Sequence, residues 1–489
     1  MVNHRCEEPK PLKSIRQIAD SMENYSPDTR YNKLETNDPG LRLFPYTDSG
    51  NAERIAQKFA GTVRYCAPQH CWDTWTGKRW EPDQTGAMLQ RTKLIARELY
   101  EEAGRIEDAE QRKTCAEWAR KCESADRRRA ALFLAQSEPG IPVLPAEFDR
   151  DAFALNCLNG TVNLKTGELR EHRPEDLITR LAPVQFDSAA RSELWEQFLE
   201  QSTGGDKELK CFLQRAAGYS LTGSICEEVL FFVHGPAASG KSTFLETLKA
   251  SFGDYAKVAD FESFIARRDV GAIRNDIAEL AGRRFVLSIE VDEGKKLAEG
   301  LVKLLTGGDT VRARFLYQEA FEFAPSFKLW LAANHAPRVR DNDTAIWRRI
   351  LRLPFEHVVP KARRDPTVKA RLKDPAVSGP AILAWAVEGC LRWQQEGLRV
   401  PEVVEQATEQ YRLDMDPLKL FFDERCTFFA DAWTSAKTLR DTYETWAKDS
   451  GERALDARQF AERLRERGCI QKPTRAGRGW SGIALMEDR

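Results

Sequence analysis

The stretch Val229-Leu-Phe-Phe-Val-His-Gly235-Pro-Ala-Ala-Ser-Gly240-Lys241-Ser242-Thr243-Phe-Leu-Glu-Thr-Leu248 restricts the fold more than any other. An apolar run of β-branched and aromatic residues stops at one glycine, and a helical pattern begins after a second. That order is strand, loop, helix, with G-x-x-x-x-G-K-S between the two elements. The glycines let the loop curl until its backbone N–H groups face inward towards phosphate oxygens, and the helix N-terminus adds partial positive charge. Lys241 then reaches the β- and γ-phosphates of a nucleotide, and the Ser242 hydroxyl ligates Mg²⁺. A plain strand-to-helix turn is the bland alternative, but the whole motif in its required context points to a P-loop. Gly235, Pro236, Ala237, Ala238, Ser239, Gly240, Lys241, Ser242 and Thr243 are the candidate nucleotide contacts.

A chain of 489 residues is too long for one core, and usual domain sizes suggest about three or four units. With 74 basic against 75 acidic residues, total charge advertises no nucleic-acid surface, so any such surface is a local patch. No run is long and apolar enough to cross a bilayer, and the first residues lack a signal-peptide core. A cytoplasmic protein is expected. The eleven cysteines form no C-x-x-C pair and read as free, mostly buried thiols. Cys66-Ala-Pro-Gln-His70-Cys71 reads as a packed turn; zinc is the alternative, but no second half-site lies nearby.

Residues 1–40 are polar and weakly periodic, a flexible tail with one short helix around Ser14–Met22. Residues 41–189 read as an N-terminal α+β domain. It opens with a capped helix over 52–60 and a hairpin of alternating aromatics, Cys71 to Trp80, around Thr-Gly-Lys. Those aromatics suit a small core better than a base-stacking surface. A charged helical region covers about 86–136, and its Asp126-Arg-Arg-Arg129 reads as a solvated face rather than a DNA contact. Two short strands follow around Lys165-Thr-Gly167. Residues 190–225 form a helical subdomain, 226–400 the nucleotide core, and 401–489 a C-terminal helical domain.

Downstream of the loop, Arg284-Phe-Val-Leu-Ser-Ile-Glu290 is an apolar strand with an acid at its tip, followed by Val-Asp292-Glu293. A P-loop ATPase needs a carboxylate on the neighbouring strand, close to Mg²⁺ and the attacking water. Glu290 is the first choice for water activation and Mg²⁺ ligation; Asp292 and Glu293 are close enough to share or take the role. Lys295–Leu305 reads as a helix stopped by Thr306-Gly-Gly-Asp309, and 310–325 as a hairpin. Phe327-Lys-Leu-Trp-Leu-Ala-Ala-Asn334 is a buried strand whose terminal amide can orient water and sense the γ-phosphate. Arg348 and Arg349 precede another strand; a guanidinium there can neutralise charge on a transferring phosphoryl group, in the next subunit if the chain assembles. Surface salt bridging is the alternative for that pair.

This order of blocks resembles the superfamily 3 helicases, more narrowly the phage and plasmid primase-helicase type related to the poxvirus primase-helicase. The core resemblance covers about 190–360, and Tyr46–Trp80 with Asn159–Phe186 resembles the small domain that precedes the helicase in that group. The resemblance implies an α/β fold: an AAA+ P-loop ATPase core with an N-terminal α+β domain. It also implies a hexameric ring that hydrolyses ATP with Mg²⁺ and translocates along single-stranded DNA. By residue, it makes Glu290 the second-strand acid, Asn334 the sensor, and Arg349, or else Arg348, the finger acting across the interface. The hairpin occupies the place of the family's pore loop, so Arg312, Arg314, Tyr317 and Gln318, with Lys303 on the preceding helix, become DNA contacts. No pair of clustered carboxylates suited to polymerase metals precedes the small domain, so a separate primase or initiator is the expected partner and primer synthesis belongs to another chain.

Beyond Pro401, helices at 434–447 and 456–467 lead into a strand, a basic glycine-rich turn and a strand. That pattern is winged-helix-like, with Arg475 and Arg478 on the wing as candidate DNA contacts; protein contact alone is the alternative. Two other functions compete with a ring-forming replicative helicase acting on single-stranded and forked DNA of a phage, plasmid or mobile element. One is an ATP-switched initiator or DNA-binding scaffold without unwinding activity; the other is a remodeller of proteins.

Overall fold

A computed structural model describes residues 44–265, 275–289, 295–316, 320–339, 344–415, 418–450, 454–474 and 477–486. The chain divides into two compact units, Met1–Thr74 with Pro82–Pro145, and Trp75–Glu81 with Ala146–Arg489. The Ser14–Met22 helix expected in the tail lies outside the described residues. The short strands at 154–170, grouped with 41–189 in the sequence, belong to the second unit.

In the first unit, the helix Asp48–Lys58 starts where the Thr47 hydroxyl accepts from the Gly50 N–H, satisfying one of the donors a helix start leaves open. The charged region at 86–136 is three helices, Ala87–Arg105, Ala109–Cys122 and Ala125–Ala135, restarted by the caps Asp108 and Ser124. Their apolar faces meet through Ile95, Leu99, Cys115 and Trp118. Arg129 points away, 72% exposed and 3.9 Å from Asp126, a solvated face. Val63–Cys66 pairs antiparallel with the next strand, setting Cys66 opposite Cys71 around a left-handed His70. The turn is packed, with Cys66 buried and both cysteines free.

The second unit is built on a five-stranded parallel sheet in the order Ile350–Pro354, Leu230–His234, Lys328–Ala333, Phe285–Ile289, Ala256–Val258. Parallel sheets are covered on both faces, so their strands are near-continuous apolar runs, as Leu-Phe-Phe-Val and Leu-Trp-Leu-Ala-Ala are here. The helix Lys241–Phe252 packs on one face with Glu193–Ser202, Lys207–Leu221 and Gly379–Glu396. Trp195 stacks on Phe244 of the first of these helices and meets Trp385 edge-on. Trp80 is fully buried and donates its indole N–H to the Pro174 carbonyl at 2.9 Å, so this aromatic is core.

Two expectations are corrected. The strand Phe285–Ile289 is not the neighbour of the loop strand, because Lys328–Ala333, buried along its full length, lies between them. The helix expected at 295–305 starts at Glu299. Its first residues are instead held extended: Lys296 bridges Arg338, and Leu297 bridges Ile265.

The C-terminal part runs strand Trp433–Ser435, helix Ala436–Asp449, helix Ala457–Glu466, strand Ile470–Thr474, strand Gly477–Ser481. Its three strands form one antiparallel sheet with Gly477–Ser481 in the middle. Asp456 and Gln459 make a capping box at the second helix, which satisfies two otherwise open N–H donors at its start.

Candidate functional site

The parallel strands all deliver their carboxyl ends to one edge, where ligands of open α/β sheets bind. At that edge Gly235 leaves the strand with φ +156°, Ala238 adopts φ +63°, and Gly240 adopts φ +95°. A Cβ on Gly235 would stand 2.0 Å from the Phe355 carbonyl oxygen, and one on Gly240 would stand 2.6 Å from the Ser202 hydroxyl oxygen. Neither site tolerates a side chain, which is the physical reason both residues are glycine. The helix then opens at Lys241 with Gly240 as its cap and no side chain bonded across its first turn. Its leading N–H groups are therefore available to an anion.

Lys241 is buried. Its ammonium donates to the carbonyls of Gly235 at 2.7 Å and Pro236 at 2.8 Å, and to Asn334 Oδ1 at 2.9 Å. Burial pushes its pKa down, while the charge of Glu356 opposes that shift. Strand order explains the Asn334 contact. Because Lys328–Ala333 lies beside the loop strand, with Ala333 opposite His234, the next residue, Asn334, emerges next to Lys241. The loop, Ile289, Ala333 and Asn334 border an open cleft of about 300 Å³. All acceptors facing the ammonium are neutral oxygens, so a ligand carrying negative charge competes for it favourably.

His234, the last residue before the loop, lies beside Arg352, whose guanidinium is 2.8 Å from Nδ1. Burial first, then the charges of Arg352 and Lys241, depress its pKa to about 4. It is neutral at physiological pH and acts as an acceptor towards Arg352.

The structure brings Ala237 to Thr243 and Asn334 together at one cleft, with the Gly235 and Pro236 carbonyls beneath it holding Lys241. Glu290, Asp292 and Glu293 follow the strand ending at Ile289 and lie outside the described residues, as do Tyr317, Gln318 and Arg475. In the hairpin Val311–Arg314 and Ala320–Phe323, Arg312 and Arg314 alternate outward while Val311 and Ala313 are buried. Phe315 stacks on Phe321, 5.6 Å between centroids. Lys303 is half-buried on the helix Glu299–Thr306. Arg478 is exposed on the strand Gly477–Ser481.

Arg348 and Arg349 sit at the opposite edge of the sheet. Ile350, which follows them, pairs with Leu230 at the start of the loop strand, whereas Gly235 follows its end. Five residues of strand separate the two edges, roughly 16 Å at the usual rise. Arg349 is buried: one terminal nitrogen donates to Glu228 Oε2 at 2.9 Å and the other to the Ala345 carbonyl at 2.8 Å. Arg348 is 66% exposed and 3.7 Å from the same carboxylate. Sequence reasoning missed Glu228 and the His234–Arg352 contact. Only the acid pair Glu227-Glu228 ahead of an apolar strand hinted at the first, and nothing local signals the second.

Fold and cleft together define a mixed α/β protein with a parallel sheet and a donor-rich loop at its carboxyl edge. Residues 52–204 match the family described as "D5 N terminal like", and residues 233–349 match a "Family of unknown function (DUF5906)". Among curated proteins, "Putative helicase L207/L206" of Acanthamoeba polyphaga mimivirus is 26% identical over 297 residues, covering 56% of this chain and 31% of that protein. "Putative helicase 022R" of Frog virus 3 is 22% identical over 420 residues, covering 69% of this chain and 43% of that protein. The chain thus spans less than half the length of these relatives. Among solved structures, the apo NrS-1 C terminal region (305-718) aligns with a TM-score of 0.48 and 10% identity, over 90% of this chain and 99% of that one. Stretches of the chain are thus similar to a D5 N terminal-like family and to putative helicases of large DNA viruses.

Proposed function

We propose that this chain is an ATP-dependent, ring-forming DNA helicase with an AAA+ P-loop core, serving replication of a virus, phage or other mobile element. The observation that carries the reading is the meeting of Lys241 and Asn334, 93 residues apart, across 2.9 Å at the mouth of a glycine-shaped loop. That pairing joins the phosphate-binding cation to the amide that senses the same phosphate. The names of the viral relatives support the class of activity.

The residues present fit ATP with Mg²⁺, because neutral acceptors hold the cation and the helix start is uncapped. Lys241 leaves the loop carbonyls for the β- and γ-phosphate oxygens, and the N–H groups from Ala238 to Thr243 take the remaining oxygens. Ser242 and Glu290 would hold Mg²⁺, with Asp292 as the other acid in reach. Mg²⁺ held there would neutralise negative charge on the phosphate groups. Glu290, or one of its neighbours Asp292 and Glu293, takes the proton of the attacking water while Asn334 orients it. Arg348 and Arg349, at the far edge of the sheet from their own loop, suit a neighbour's nucleotide. Hydrolysis then requires assembly into a homo-oligomer, a hexamer by the family resemblance.

Arg312, Arg314, Tyr317, Gln318 and Lys303 meet the translocated single strand. The C-terminal part, with strand, two helices and hairpin in that order, is a winged-helix-like module whose Arg475 and Arg478 contact duplex phosphate. A forked substrate with ATP tests the reading. Strand displacement by the wild type, abolished in Lys241→Ala with the fold intact, is expected. ATP-dependent DNA binding without displacement would make the chain an initiator or scaffold instead.

A further inference from the structure

The two adjacent arginines differ in a way their sequence conceals, and one carboxylate creates the difference. Glu228 sits in a turn closed by its own N–H donating to the Ile225 carbonyl at 2.9 Å, and its φ is +51°. Non-glycine residues rarely occupy that left-handed region, and where they do the surroundings dictate it. Here the Leu230 N–H donates to the Arg349 carbonyl at 2.6 Å, so the turn is tied to the backbone of the arginine it serves. The carboxylate holds Arg349 at 2.9 Å but stands 3.7 Å from Arg348, an ion pair without hydrogen-bond contact. Arg349 is further fixed by the Ala345 carbonyl, and its Nη2 lies close to the Thr306–Asp309 turn, 3.5 Å from where a Gly307 Cβ would stand.

We propose that Glu228 is a positioning residue that divides labour between the pair. It anchors Arg349 within its own subunit and presents Arg348 as the guanidinium that reaches the γ-phosphate in the adjoining subunit. The proposal rests on the ATPase reading above. Both terminal nitrogens of Arg349 are bonded inside the chain and the residue lies beneath the surface, whereas Arg348 is exposed on the same turn. A nucleotide-loaded neighbour therefore offers Arg348 a stronger partner than a carboxylate 3.7 Å away, since phosphate takes guanidinium in a two-pronged contact. Glu228 keeps Arg349, and with it the direction from which Arg348 projects.

The test is a double-mutant cycle on ATP turnover with single-stranded DNA, read at saturating ATP beside nucleotide affinity and sedimentation. Arg348→Ala is expected to lower kcat by about 1,000-fold or more with nucleotide affinity and assembly unchanged. Glu228→Gln keeps the shape and loses the charge. It is expected to lower kcat about tenfold, with KM for ATP unchanged, and to have no further effect once Arg348 is absent. Independent, multiplying losses in the double variant would make Glu228 merely structural and overturn the proposal. Unchanged turnover in Arg348→Ala, with the wild type active, would overturn it as well and leave the ATPase reading standing. A wild-type chain that binds DNA but turns over no ATP would overturn both.

Discussion

Two lysines buried at opposite ends of the same sheet are satisfied in nearly the same way, yet the proposed function gives them different tasks. Lys241 donates to the carbonyls of Gly235 and Pro236 at the carboxyl edge. Lys328 donates to the carbonyls of Thr222, Ser224 and Ser326 at the amino edge, with its ammonium 4.7 Å from the Tyr219 ring centroid. Burial lowers both pKa values, that of Lys328 much further. Burial and hydrogen bonding therefore do not distinguish a binding group from a structural one. Access does. Lys241 borders an open cleft beside an exposed amide. Lys328 is enclosed and, with Arg284 donating to the Leu221 carbonyl, clamps the end of the helix Lys207–Leu221. Cations there also suit the negative end of the helix dipole.

That comparison can be broken experimentally, and the largest effect lies at the cleft. Lys241→Ala is expected to abolish nucleotide binding and strand displacement while leaving the melting temperature close to the wild type's. Lys328→Met should do the reverse, lowering unfolding free energy by about 3 kcal/mol as buried carbonyls lose their donor, with nucleotide affinity per folded molecule preserved. Denaturant unfolding and nucleotide titration of the same preparations separate the two. Loss of nucleotide binding in a well-folded Lys328→Met would erase the distinction.

A smaller effect concerns pH. His234 is folded with a pKa near 4 against about 6.5 unfolded. Between those values the unfolded chain binds the proton and the folded chain does not, so stability is complete above about pH 6.5 and falls as pH drops towards 4. The contribution is about 2 kcal/mol after allowance for partial exposure. His234→Gln should flatten that part of the stability–pH curve; an unchanged slope would show that other groups set it.

Much of the cleft was legible because its parts are contiguous. The residues from Gly235 to Thr243 carry their geometry in their own order, and the strand ending in Asn334 follows from its apolar run. Strand order was not legible. Adjacency in a parallel sheet depends on crossovers, so nothing local says that Lys328–Ala333 separates the loop strand from Phe285–Ile289. The late helix start at Glu299 has the same cause, since Lys296 and Leu297 are claimed by Arg338 and Ile265, partners 42 and 32 residues away by number. Arg348 and Arg349 look alike in sequence. Burial of Arg349 and its contact with Glu228, 121 residues away, tell them apart.

Subunit mixing tests the central claim most directly. On the proposed function, a Lys241→Ala chain keeps its arginines but loses nucleotide, and a chain with both Arg348→Ala and Arg349→Ala keeps nucleotide but lacks the cation offered to a neighbour. Each alone is expected to be inactive, and mixing them in equal amounts should restore ATP turnover at the hybrid interfaces. If mixed assemblies form, as seen by sedimentation, and turnover stays at the level of the separate variants, the nucleotide is not completed by a neighbour and the account fails.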